Sequence, residues 1–442
     1  MKKAVITILG IQGAKYSEHG EALVKNYSHQ ATYYIENTDN TIKYYYNTLE
    51  MLIELYSDQY EIVPIYTNEA KKFNQNVLKY SNYHCTFNDT LGFIENEKDY
   101  FSIFNKIDKV INTFDTVIID LTHGFRHLPI LAIIDIIIQN FKDTNKIEKI
   151  LFAKEIIKHT PENIGEYEVV DLKEYLDIAN ISYILSSFEQ NYTLSHHIKT
   201  KDKDFQVLLD MLSKFSEHIL ANSLITLLQK ENSLIDKLSQ AIDIAIQHPK
   251  SKPLKFYLRN IKEHLNKFIG LKEKPEYIQL FELSKLMKEK GYFLNSITLL
   301  NEAVSWYCAN SVAKISPNYN SLLTKAKKNT YDIYEVLNAA KNIVKFTNYQ
   351  ERYKNTLKLS DINEIYTVLT NIKNIENFSK KLLQNVDRDR NNLAHANSSN
   401  ALSEIKKRLE TLLGRFQTYC IEDDILKKST FNTNDLINKY KK

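Results

Sequence analysis

Apolar residues in the first part of the chain keep changing rhythm. Ala4-Val5-Ile6-Thr7-Ile8-Leu9 is an apolar, β-branched run that stops at Gly10, the pattern of a buried strand. Ala31-Thr32-Tyr33-Tyr34-Ile35 predicts a second strand, closed by the turn-forming Asn37-Thr38-Asp39-Asn40. Ile42, Tyr45, Leu49, Leu52 and Ile53 recur at helical spacing and predict a helix over 42–56. Glu61 to Tyr66 reads as a strand again, and Pro64 puts it at a sheet edge or a strand end. A helix over 100–111 leads into a strand over 116–121, and 126–141 forms an apolar helix with Pro129 tolerated in its first turn. Strands over 149–157 and 165–172 flank Thr160-Pro161-Glu162-Asn163-Ile164 as a closing hairpin. This alternation predicts a mostly parallel sheet with helices on both faces, and ligands on such sheets bind beyond the carboxyl ends of the strands.

From about residue 180 strand signals fade and helical periodicity takes over. Helices are predicted over 205–230, 233–247, 253–268, 275–290, 292–313, 332–345, 361–386 and 401–421. His248-Pro249, Ile315-Ser316-Pro317-Asn318 and Asn397-Ser398-Ser399-Asn400 separate them. No fixed-period repeat is present, which argues against a solenoid. The predicted organisation is an α/β domain over 1–175, a helical linker over 176–204 and an all-α domain over 205–442, with a polar tail after Lys427.

Composition narrows the class. The chain has 442 residues, more than one ordinary core, and its apolar (43%) and charged (25%) fractions are those of a soluble globular protein. A net charge of +4 confines any nucleic-acid contact to local patches. Cys85, Cys308 and Cys420 are far apart, which argues against disulfides or zinc and for a reducing compartment. The N-terminal MKKAVITILG reads as a strand rather than a signal peptide. The most apolar stretch, 128–138, contains Asp135 and is too short to span a bilayer. A cytoplasmic protein with no membrane attachment is expected.

Two loops draw attention because the chain has only nine glycines. Gly10-Ile11-Gln12-Gly13, after the first strand, has the form of a turn that aims backbone N–H groups at an anion, although it is neither a dinucleotide fingerprint nor a P-loop. The competing reading is a tight turn. In Asp120-Leu121-Thr122-His123-Gly124-Phe125-Arg126, Thr122 offers a hydroxyl, His123 a ring donor, Gly124 close backbone approach and Arg126 a fork for phosphate. Asp120 suits either a ribose hydroxyl or the pinning of the turn, and Asp120 and Thr122 also suit local capping. His127 is expected to pack or face solvent.

Asp120-Leu121-Thr122-His123-Gly124 resembles the Asp-x-Thr-His-Gly signature of a family of CRISPR-associated proteins. Those proteins join a Rossmann-like CARF sensor domain, built on a mostly parallel sheet, to a helical HEPN ribonuclease domain. The resemblance follows the order of elements over nearly the whole chain. It implies that Gly10, Ile11, Gln12, Gly13, Asp120, Thr122, His123, Gly124 and Arg126 bind a cyclic oligoadenylate, with cyclic tetra-adenylate the expected ring and the six-membered ring an alternative. A symmetric ring implies a homodimer, or a higher assembly of dimers, presenting identical loops.

HEPN ribonucleases are similar to one another in an Arg-x4–6-His motif. Arg390-Asn391-Asn392-Leu393-Ala394-His395 matches it, and Arg388 matches with a longer spacer. Arg390 is preferred because Asn391 follows it, as in family members. The residue types suit cleavage of single-stranded RNA. His395 can move protons at the 2′-hydroxyl and the leaving 5′-oxygen, Arg390 can hold the phosphate as charge develops, and Asn391 can orient either. That chemistry needs no metal or other cofactor and leaves a 2′,3′-cyclic phosphate. Two other readings compete: a non-catalytic oligoadenylate sensor with a helical interaction domain, and a metabolic dinucleotide enzyme, which the missing fingerprint disfavours.

Overall fold

The computed structural model describes residues 2–11, 15–16, 22–23, 30–35, 44–96, 98–124, 127–158, 160, 164–194, 200, 202–228, 233–328, 332–345, 357–395 and 402–426. Chain contacts divide it into two compact units, Met1–Ser186 with Ser195–Gln206 and His248–Tyr257, and Ser187–Leu194 with Val207–Gln247 and Leu258–Lys442. The units exchange short segments, so no single cut separates them.

Among the described residues the first unit has nine strands, β1 (Lys3–Ile8), β2 (Lys15–Tyr16), β3 (Ala22–Leu23), β4 (Ala31–Ile35), β5 (Tyr44–Tyr45), β6 (Glu61–Ile65), β7 (Thr116–Asp120), β8 (Ile147–Ile157) and β9 (Glu166–Asp171). Its helices are α1 (Thr48–Tyr56), α2 (Asn68–Ser81), α3 (Asp89–Gly92), α4 (Tyr100–Thr113), α5 (His127–Lys142) and the first part of α6 (Lys173–Asn191). Apart from a small β2–β3 pair, the strands form one sheet in the order β5-β4-β9-β8-β7-β1-β6. Strands β6, β1, β7 and β8 run parallel; β9 is antiparallel to β8 and parallel to β4, and β5 is antiparallel to β4. The mostly parallel sheet and the β8–β9 hairpin are thus present.

Pleating sorts the strand residues between two cores. Ala4, Ile6, Ile8, Val117 and Ile119 pack with residues of α4 and α5, whereas Val5 and Ile118 pack with Met51 and Leu52 of α1. Strand β6 is an edge strand. Ile65 faces inward, its carbonyl accepting from the Leu9 amide, while Tyr66 exchanges hydrogen bonds outward with Gly92 and Ile94. Pro64, two residues before Tyr66, shares that outward side, where no ladder donor is needed.

The first unit differs from expectation at α1 and α2. The helix predicted from residue 42 starts only at Thr48, because Tyr44–Tyr45 pairs with β4 and the Asn47 side chain caps the helix by accepting from the Leu49 amide. Helix α2 was not expected: its buried Ala70, Phe73, Val77 and Leu78 are diluted by lysine and asparagine.

The second unit is helical. It holds the rest of α6, most of α7 (Lys203–Leu220), α8 (Leu234–Gln247), the greater part of α9 (Lys255–Ile269), α10 (Glu276–Glu289), α11 (Phe293–Ile315), α12 (Pro317–Lys327), α13 (Ile333–Val344), α14 (Leu359–Thr370), α15 (Ile375–Asn377), α16 (Gln384–Ala394) and α17 (Leu402–Phe416). Helix α11 is the central element; Ile297, Leu300, Ala303, Val304, Cys308 and Val312 are buried in it. The predicted separator at 315–318 is a junction without a loop: Ser316 ends α11 and caps α12, whose first residue is Pro317. The helix predicted over 361–386 is broken, since Asn374 takes a left-handed conformation (φ 68°) between α14 and α15. Among the described residues no helix is long and apolar enough to cross a membrane.

Candidate functional site

Strand β1 has β6 on one side and β7 on the other, so the chain leaves its carboxyl end at a topological switch point. The two glycine-bearing loops meet there. A Cβ placed on Gly10 would lie 2.7 Å from the Gly124 amide nitrogen, and one on Gly124 would lie 2.6 Å from Ile8 Cγ2. Gly124 also has φ +101°, a conformation that L side chains rarely adopt. Both positions therefore depend on the missing side chain.

The register places Thr7 opposite Asp120, and both face the α1 side of the sheet. Asp120 is 1% exposed. Its Oδ2 accepts from the hydroxyls of Thr7 and Thr48, each at 2.8 Å, and its Oδ1 accepts from the Thr122 amide at 3.0 Å and the Thr122 hydroxyl at 2.5 Å. The Thr122 oxygen accepts in turn from the Ala153 amide at 2.9 Å. These contacts join β1, α1, β7 and β8. The geometry supports the reading in which Asp120 and Thr122 pin the turn, since their polar atoms are already committed.

His123 is placed differently. Its Nε2 accepts from the Thr48 amide, in the first turn of α1, at 3.4 Å. An imidazole in that role is neutral there, and burial pushes its pKa below the ordinary histidine value while the Asp120 charge opposes the shift. Beside it, Asn74 donates to the Gly10 carbonyl at 3.1 Å and accepts from Asn47 at 2.8 Å, tying the first loop to the cap of α1. Gly10 and Ile11 are half-buried. The predicted site residues Gln12, Gly13 and Arg126 lie outside the described residues. His127 packs its ring against Tyr100 at 5.1 Å between centroids.

The sequence reading missed Thr7, Asn47, Thr48 and Asn74. Thr7 was legible as the polar position in an apolar strand, and Asn47 with Glu50 as an Asn-x-x-Glu helix start.

In the helical unit, Arg390, Asn391 and His395 occupy the end of α16. His395 is the C-cap, exposed, and its amide donates to the Asn391 carbonyl at 3.0 Å. Asn391 and His395, four residues apart, share a face, with Arg390 turned aside. No hydrogen bond joins Arg390 to His395 within this chain. Arg390 is half-buried; one guanidinium nitrogen donates to Asn391 Oδ1 at 3.2 Å, and its buried Nε has no partner among the described residues. Arg388 is 59% exposed and bonds to Asn385 and Asp389. Of these two arginines, Arg390 is the one with no carboxylate partner among the described residues.

The first unit has two further features. A cavity of about 840 Å³ is lined by residues including Lys149, Lys173, Glu174 and Lys250, away from both loops, and Lys173 and Lys250 are paired with Asp177 and Glu174. Among the described residues, Asp202, Asp204 and His248 are close enough to share a cation, but His248 Nε2 already contacts Asp202 at 3.3 Å.

No protein-family model matches the chain. Over 303 residues, 68% of its length, it is 23% identical to the CRISPR-associated protein MJ1674 of Methanocaldococcus jannaschii. The match spans 40% of that relative's own length. The structure of Enterococcus italicus Csm6 bound to cyclic hexa-2′-fluoro-hexa-dAMP aligns with 98% of this chain and 96% of that chain, at a TM-score of 0.38 and 12% identity, too slight a likeness to decide fold or activity. The expected resemblance to CRISPR-associated proteins is met by the sequence similarity.

Proposed function

We propose that this relative of a CRISPR-associated protein is a metal-independent endoribonuclease of type III CRISPR antiviral defence, switched on in the cytoplasm by a cyclic oligoadenylate. The α/β domain, residues 1–175, is the sensor and the helical domain, 205–442, the nuclease, joined through 176–204. One observation carries the reading. Arg390 keeps a buried, unengaged Nε at the end of α16, where Asn391 and His395 are exposed beside it.

The chemistry follows from those groups. The 2′-oxygen of a single-stranded RNA attacks the adjacent phosphorus as His395 takes its proton; the P–O5′ bond breaks, and the protonated His395 returns that proton to the leaving 5′-oxygen. Arg390 steadies the charge on the five-coordinate phosphorus, and Asn391 orients the phosphate. The products are a 2′,3′-cyclic phosphate and a 5′-hydroxyl.

The ring binds where Gly10, Ile11, His123 and Gly124 converge, with Gln12, Gly13 and Arg126 completing the loops and Asp120 and Thr122 holding them in shape. Cyclic tetra-adenylate is the expected ring. A homodimer presents two copies of the loops to it, and pairing is supported by α5, where Ile130, Ile133, Ile134, Ile138 and Phe141 are 39–59% exposed. The ring activates only by binding the active arrangement more tightly than the resting one.

The test is cleavage of labelled single-stranded RNA by purified protein in a chelator, with cyclic oligoadenylates of four to six units. Ring-dependent cutting that disappears in Arg390→Ala and His395→Ala proteins is expected. Tight ring binding with no cutting under any condition establishes the non-catalytic sensor instead.

A further inference from the structure

Helix α16 carries an acid one turn ahead of its key arginine. Asp387 and Arg390 are three residues apart on one helix, the spacing at which an aspartate and an arginine pair. They do not pair here. Asp387 is held by two lysines, Lys341 of the neighbouring α13 and Lys345 at its C-cap: Lys341 Nζ lies 3.0 Å from Asp387 Oδ1, and Lys345 contacts the other oxygen. Lys341 is fixed further by Asn301 Oδ1 of α11 at 2.8 Å. The lysine side chains are 7% and 11% exposed, so this is a built clamp rather than a surface pair.

The local charges do not balance. Three basic side chains, Lys341, Lys345 and Arg390, stand with two acidic ones, Asp387 and Glu302. Glu302, next to Asn301 on α11, lies in the field of Lys341 and Arg390 but forms an ion pair with neither, and burial pushes its carboxyl above the usual range, toward the neutral form. The group with no ion-pair contact among the described residues is the Arg390 guanidinium, whose Nε is buried and unpartnered.

We propose that Lys341 and Lys345 are positioning residues that occupy Asp387, so that Arg390 stays free for a phosphodiester of the RNA. The inference rests on the ribonuclease reading and adds to it why an acid-rich helix can carry an available arginine. The lysines act through Asp387, not on RNA. Without them the acid turns to Arg390 and fills the place that the phosphate needs.

The decisive comparison is between Lys341→Met/Lys345→Met and the same protein with Asp387→Asn added. The first is expected to lose about 100-fold in kcat/KM, the scale of losing one electrostatic donor. The second, neutral throughout and of similar volume, keeps the fold and regains wild-type cleavage within about threefold, because replacing a buried ion cluster by neutral groups is tolerated. A folded triple variant as inactive as the double overturns the proposal, as does a double variant that cuts like wild type. If the double variant does not fold, the triple decides alone: sequestration requires it to be active, and any direct role of the lysines requires it to be inactive. Absence of cutting by wild-type protein sinks the ribonuclease reading separately. In that case anisotropy with 2′-O-methyl RNA makes the same comparison on binding, and a triple variant that binds no better than the double overturns the inference.

Discussion

The Thr48 amide donates to His123 Nε2, so a helix start and the loop after the central strand hold each other through an imidazole lone pair. Protonation would remove that acceptor and put a cation against the positive end of α1. The folded protein therefore binds this proton less readily than the unfolded chain, whose value is the ordinary 6.5. The contribution is complete above pH 6.5 and is lost as pH falls through the lowered folded value. The unfolding free-energy difference between wild type and His123→Gln should shrink on acidification from pH 7.5 to 5, from about 1 kcal/mol at the upper end. A difference constant over that range would contradict the neutral assignment.

Gly124→Ala should destabilise the first unit by about 1–3 kcal/mol, through its positive φ and its contact with Ile8, and should abolish ring binding. Gly10→Ala should also abolish binding, since its Cβ would meet the Gly124 backbone. Calorimetric titration with cyclic tetra-adenylate and thermal denaturation measure the two effects. Ring affinity unchanged in both variants would show that the ligand does not use these loops.

Asp135 sits 1% exposed in α5, facing Asp108 and Gln139. Burial first, and then the Asp108 charge, push its carboxyl from 3.8 to about 6. A folded value above the unfolded one means stability that is full below pH 3.8 and lost as pH rises through about 6. Asp135→Asn should accordingly stabilise the protein at pH 7.5 by about 1–3 kcal/mol, with the gain vanishing near pH 4. Denaturant titrations at the two pH values would show it, and an equal effect at both would refute the assignment.

Arg388→Ala should leave RNA cleavage within about threefold of wild type, because Arg388 is exposed and paired, whereas Arg390→Ala should lose about 100-fold. Single-turnover cleavage with the ring present distinguishes them. The reverse ranking would move the catalytic role to Arg388.

The sheet was legible because buried parallel strands such as β1 and β7 are continuous apolar runs, and most helices because of their periodicity. Tyr44–Tyr45 and the break at Asn374 escaped because strand pairing and one left-handed residue overrode a helical pattern. The motif residues were readable, but the commitments of Asp120 were not: its partners Thr7 and Thr48 come from other elements, and only the register brings them together. The different partners of Arg388 and Arg390 were equally hidden, since they depend on what lies across from each.

The outermost strand of the sheet carries Pro64 where a further strand would seek a donor, and Gly92 to Ile94 cover the next outward position. A second molecule trying to zip onto that rim would have to bridge a missing amide and displace a covering segment. Open-ended polymerisation through this edge is thereby discouraged, even in cells crowded with newly made copies.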